Sequence, residues 1–147
     1  MKSKPIFITS DLIPALLDGR KTCMRCPATF LPGENPNWTG YIKDGAMLYN
    51  GRNEPCIEKA PYKLADILYV RETWHKYIKR VGKGESCHLA EFYGYKASIA
   101  NSEDANEPWK SPVCMPKEAS RIWLKVKNVR VERLQKITED GCIAEGV

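Results

Sequence analysis

The sequence has no apolar run approaching the length of a membrane-spanning helix, which excludes a helical membrane protein. No secretory leader is expected either, because the apolar piece after Met1-Lys2-Ser3-Lys4-Pro5 is only Ile6 to Ile8. The expected location is therefore the cytoplasm. No internal repeat or low-complexity tract appears, so solenoid and tail-like architectures are set aside. The chain also lacks a second Cys-x-x-Cys to match Cys23-x-x-Cys26. On a strand, residues three apart point to opposite faces, so that pair converges only in a turn. Cys87-His88 is too isolated to complete a zinc site. The six cysteines read as scattered reduced thiols, with no metal and no cofactor expected.

What is present fits one domain spanning residues 1–147. The chain is long enough to bury roughly two-thirds of its unfolded surface without disulfides. Its formal charge of +5 and pI near 8.9 permit a polyanionic partner without demanding one.

The longest strand signal is Ala119 to Leu134. Ile122, Leu124 and Val126 alternate with Trp123, Lys125 and Lys127, a period of two that buries one face. Val129 and Val131 then fall out of phase, which predicts a bulge near Lys127-Asn128 and a curved sheet organised around this strand. A small β-barrel with a few helices follows.

Lys4 to Thr9 predicts a first strand covered on both faces. A helix is expected next, capped by Ser10 or Asp11, with Pro14 early, Leu12, Ile13, Leu16 and Leu17 buried, and Gly19 as its left-handed end. Arg20 and Lys21 then sit where that helix dipole favours cations. Residues 27–63 form a long irregular loop rich in proline, glycine and asparagine, a lid, a binding loop or a floppy insertion. Within it, Trp38 to Ile42 and Ala46 to Tyr49 flank Lys43-Asp44-Gly45, a hairpin signal.

In the strand Ile67 to Trp74, Leu68, Val70, Glu72 and Trp74 share one face. A carboxylate among apolar neighbours needs a partner or a shifted pKa, so Glu72 is either an ion pair with Arg121 or Arg20 or a functional acid. His75 to Gly84 mixes Lys76, Lys79, Arg80 and Lys83 with Tyr77, as a solvated hairpin tip or a phosphate-tracking surface would. A strand over Cys87 to Ala97, a polar loop over Asn101 to Pro108 and a proline-framed segment from Trp109 lead to the main strand. Trp74 and Trp109, if they line one groove, offer stacking faces for a base. Thr138 caps a last helix, Glu139 to Glu145, closed by Gly146.

Several segments together resemble the ASCH domain family, a PUA-like β-barrel group, especially its phage and prophage members. They are Leu17-Asp18-Gly19-Arg20-Lys21-Thr22, Ala65 to Trp74, Trp109-Lys110-Ser111-Pro112 with Met115-Pro116, and Ala119-Ser120-Arg121-Ile122 through Arg130 to Gln135. The resemblance implies an α+β fold, a PUA-like barrel with short flanking helices, and binding of RNA or modified nucleosides in a cleft beside the barrel. Some small members resemble amidohydrolases that remove acyl groups from the exocyclic amine of cytidine with a lysine, a threonine and a glutamate. By position the lysine is Lys21 and the glutamate Glu145. The threonine position is Met24, whose thioether cannot attack a carbonyl, and the arginine often found two further on is Cys26, with Arg25 the nearby cation. Relatives usually continue past this Glu-Gly into another strand, so the expectation is a truncated chain, or an open sheet edge that is covered by a second copy or left exposed.

Three readings follow. In the first, a binding module uses a basic rim of Arg20, Lys21, Arg25, Arg71 and Arg121, with Thr22 beside them and Trp74 or Trp109 stacking. In the second, an amidohydrolase uses Lys21 with Glu145 or Glu72. In the third, a phage accessory protein acts through protein contacts.

Overall fold

The computed structural model describes residues 3–34, 41–43, 47–98 and 108–147. It is a mixed α+β domain, mostly strands with a few short helices. The main sheet has three strands: β1 (Ser3–Phe7) runs parallel to the central strand, Ile67–Arg71, and Trp123–Lys125 pairs antiparallel on its other side. In chain order the central strand is β4 and the last strand β7, with the hairpin strands β2 (Tyr41–Lys43) and β3 (Met47–Tyr49) before them. Parallel neighbours need a long crossover, and here it carries helix α1 (Ile13–Leu17) and the β2–β3 hairpin.

The organising element is β4, because among the described strands it alone has neighbours on both sides and its Leu68, Tyr69 and Val70 are all buried. The expected long strand over Ala119 to Leu134 is a correction: β7 is short and lies at the sheet edge. Backbone bonds extend it slightly, from Val70 N–H to the Ile122 carbonyl and from Val126 N–H to the Asp66 carbonyl. Its change of phase has a different cause from a bulge. Ile122, Leu124 and Val126 pack on the core of Ile6, Ile8, Ile13, Leu68 and Val70, whereas Val131 packs on a second core of Leu48, Cys56 and Ile57. The chain leaves one core for another, and each half faces its own.

Other expectations shift in detail. Phe7 is exposed, with the Arg71 guanidinium over its ring, so β1 is not covered on both faces. In α1 neither Ser10 nor Asp11 caps, since Leu12 holds the cap position. Ile13 and Ala15 are buried, Leu12 and Leu16 pack beside them, and Leu17 is exposed. Gly19 does adopt the left-handed conformation, with φ +76°. The β2–β3 hairpin is present, while its turn, Trp38 and most of the Asn101–Pro108 loop lie outside the described residues.

The strand expected to run from Ile67 to Trp74 breaks at Glu72-Thr73. Beyond it β5 (Trp74–Val81) forms a two-stranded hairpin with β6 (His88–Tyr95), while Trp74 also bridges to Lys110. The break lets the chain leave the main sheet and enter a third core of Trp74, Met115 and Ala119. There the Glu72 N–H meets the Met115 sulfur at 3.3 Å. Helix α2 (Glu139–Ala144) closes the chain as expected, with Thr138 Oγ1 accepting from the Gly141 N–H.

Candidate functional site

The loop after α1 is clipped onto the end of α2. Lys21 N–H donates to the Ala15 carbonyl, and the N–H groups of Thr22 and Cys23 both donate to the Ala144 carbonyl, at 2.8 and 3.0 Å. Gly146 makes the close approach feasible. Its φ is +96°, and a Cβ there would stand 3.1 Å from the Ala15 Cβ and 3.2 Å from the Lys21 Cβ.

This clip buries Lys21 to 6% exposure. Its Nζ donates to the Cys23 carbonyl at 2.9 Å, the Glu145 carbonyl at 2.8 Å and Glu145 Oε2 at 2.9 Å. Three acceptors match the three hydrogens of an ammonium. Lys21 therefore serves the end of α2, not the end of α1 where its sequence position had placed it. The Glu145 carbonyl it reaches is one that a helix leaves without an internal partner.

Arg25 completes the cluster. Its Nη1 donates to Glu145 Oε1 at 3.0 Å and to the Gly141 carbonyl at 3.2 Å, while Nε donates to Glu132 at 2.8 Å. The Cys23 thiol points at the same Glu145 Oε1, 3.5 Å away. Burial works to raise the Glu145 pKa, but the hydrogen bonds and charges of Lys21, with help from Cys23 and Arg25, win and hold it below the usual carboxylate range. Burial first, and then the Glu145 charge, push the Cys23 thiol up. The Glu132 hydrogen bond raises Arg25 further above neutrality. The result is an ionised carboxylate between two cations, beside a neutral thiol. Such a carboxylate accepts hydrogen bonds and is no proton donor near neutral pH.

Glu72 and Arg121 form a second cluster. Arg121 grips Glu72 with two parallel bonds, Nε to Oε1 at 2.8 Å and Nη2 to Oε2 at 2.9 Å, and the Glu72 side chain is 1% exposed. The guanidinium lies 4.2 Å from the Tyr95 ring centroid and also bonds Ser98. Of the two readings of Glu72, the geometry is that of the Arg121 ion pair.

The remaining rim residues are dispersed. Arg20 makes a surface pair with Asp18, Thr22 is exposed, and Arg71 lies against the rings of Phe7 and Tyr69 while donating to the Val113 carbonyl. Trp74 and Trp109 offer no common free face. Trp74 is buried against Tyr93 with the Lys110 ammonium over it, and Trp109 stacks on His75 at 4.4 Å. Met24 is exposed and takes no part.

Sequence reasoning missed Cys23 and Glu132 as site residues. Cys23 was weighed only as a partner of Cys26, which is exposed, and among the described residues no group of three His, Cys, Asp or Glu side chains is set to hold a metal. The signal for Cys23 was its place two residues after Lys21, on the same face of an extended chain. Compared with known proteins, the chain matches no family model, no curated protein and no solved structure.

Proposed function

We propose that this protein is an ASCH-type, PUA-like module that binds RNA or a modified nucleoside, with the base edge read at Glu145. One observation carries the reading. Lys21 and Glu145, 124 residues apart in sequence, meet at 2.9 Å, and they are two of the three positions that the resemblance takes from the small amidohydrolases, whose ligand is a cytidine derivative. A carboxylate held ionised by Lys21 and Arg25 is an acceptor for an exocyclic base amine, the contact by which acidic side chains read cytosine. The PUA-like barrel belongs to this proposal too, supported by the parallel β1–β4 pair and the short flanking helices. So does pairing of two copies through an open edge, supported by the outer positions of β1 and β7 in the sheet.

The test is binding of cytidine and of a short single-stranded RNA, by calorimetry, to the wild type and to Glu145→Gln. The expected result is micromolar or weaker binding, lost on substitution, with the RNA affinity falling as salt rises. Equal affinity of the two proteins for both ligands would refute it.

A second reading, deacylation of the exocyclic amine of cytidine, is favoured by the Cys23 thiol against Glu145, since the ionised carboxylate is placed to take the proton of the neutral thiol as its sulfur attacks the acyl carbonyl, a role the exposed Met24 cannot fill. Release of the acyl group from N-acylcytidine that disappears in both Lys21→Ala and Cys23→Ser supports it. No release from the wild type removes it.

A further inference from the structure

A second cleft, about 390 Å³ in volume, opens between the β2–β3 hairpin, residues 59–64 and the chain at 128–129. Three lysines line it, Lys43, Lys59 and Lys63, and among the described residues no carboxylate is in its lining. All three are exposed, and among the described residues none is in an ion pair with an acid. Lys43 has its ammonium 5.7 Å from the Tyr49 ring centroid. Beneath the lysines lie half-buried Met47, Tyr62 and Val129, so the cleft combines a cationic rim with an apolar floor. Tyr62 is fixed in place by its hydroxyl, which donates to the Pro5 carbonyl at 2.9 Å.

One chain segment links this cleft to the Glu145 cluster: it runs back from Glu132, bonded to Arg25, to Val129 in the cleft lining. Three residues of extended chain span at most about 11 Å. The path from Glu145 to the cleft runs through Arg25 and Glu132 as well, a separation that suits a chain of nucleotides and not one nucleoside. The ammonium groups of Lys43 and Lys59, with Lys63 beside the Lys4-paired Asp66, suit successive phosphates, and the apolar floor suits the sugar and base between them.

We propose that the lysine cleft is a phosphate-binding subsite holding the backbone of a single-stranded RNA whose base is read at Glu145. The ligand is then an oligonucleotide rather than a free nucleoside. The inference rests on the base-reading role of Glu145 proposed above, and its test separates the two.

A 12-nucleotide single-stranded RNA labelled with fluorescein is titrated by anisotropy across a salt series, and cytidine is titrated by calorimetry. The proteins are the wild type, Lys59→Ala/Lys63→Ala, Lys59→Arg/Lys63→Arg and Glu145→Gln, each checked for an unchanged melting transition. Removing the two lysines is expected to weaken RNA at least tenfold more than it weakens cytidine. It should also lower the slope of log affinity against log salt by about 1.4, two contacts at about 0.7 each for a single strand. The arginine pair restores the slope. An alanine pair with wild-type RNA affinity and slope, while Glu145→Gln weakens RNA, overturns the lysine subsite and leaves the Glu145 reading standing. A lowered slope in the alanine pair with no effect of Glu145→Gln overturns the link to Glu145. A wild type that binds no RNA overturns both.

Discussion

Removing the guanidinium from Arg121 would leave Glu72 with a charge it cannot solvate. The Glu72 side chain is 1% exposed, and both of its oxygens are satisfied by Arg121 alone, at 2.8 and 2.9 Å. Breaking a buried pair by deleting one partner costs about 3–5 kcal/mol, whereas replacing both partners by apolar groups is often neutral. Domains of this kind are stable by about 5–15 kcal/mol, so the single change consumes a large share of the total. With a urea slope of about 2 kcal/mol per molar, a loss of about 4 kcal/mol lowers the unfolding midpoint by about 2 M. Arg121→Leu is therefore expected to unfold about 2 M earlier than the wild type. Glu72→Leu/Arg121→Leu should return to within about 0.5 M of it. A single variant that shifts by less than about 0.5 M would refute the idea that Glu72 is a desolvated carboxylate dependent on this pair. A double variant as unstable as the single one would show that Arg121 acts through its packing on Tyr95, 4.2 Å away, instead of through its charge.

Glu145 is held below the usual carboxylate range, so the unfolded chain binds its proton more readily and the cluster's contribution is complete above about pH 4.3. That contribution is lost as the pH falls from there through the lower folded value, and Glu145→Gln should flatten this acid limb in urea titrations. Asp66, also lowered, chiefly by its Lys4 hydrogen bond, keeps part of the limb in both proteins, and identical profiles would contradict the Glu145 assignment. Gly94→Ala would put a Cβ 2.6 Å from His75 Cδ2 and closer still to Nε2, on a ring stacked 4.4 Å from Trp109 and 5° from parallel. A ring so confined cannot swing aside, so a loss of about 1–3 kcal/mol is expected in a melt followed by tryptophan fluorescence, and an unchanged transition would show that the hairpin yields.

Much of the local structure is dictated by residue order alone. Alternation at Leu68 and Val70 marked a buried strand, Gly19 and Gly146 marked left-handed ends, and Thr138 marked the start of the last helix. These are short-range effects, in which sterics and side-chain-to-backbone bonds act within a few residues. The burial of Glu72 was legible for the same reason, since a strand's period of two carries it inward with its neighbours.

Which elements become neighbours was decided by tertiary structure. The Ala119–Leu134 pattern is a real strand pattern, yet its two halves serve different cores, and periodicity cannot say which core a face meets. Trp74 and Trp109 would offer stacking faces if they lined one groove, but Trp74 is buried against Tyr93 under Lys110, and His75 is stacked on Trp109. At the candidate site, the pairing of Lys21 with Glu145 entered through resemblance, while Cys23, Arg25 and Glu132 joined it through a loop clipped onto a helix end. The physical reason is range. Propensity and phase act over a few residues, whereas a part-buried ion pair spanning 124 residues exists only where the packed chain brings its members within bonding distance.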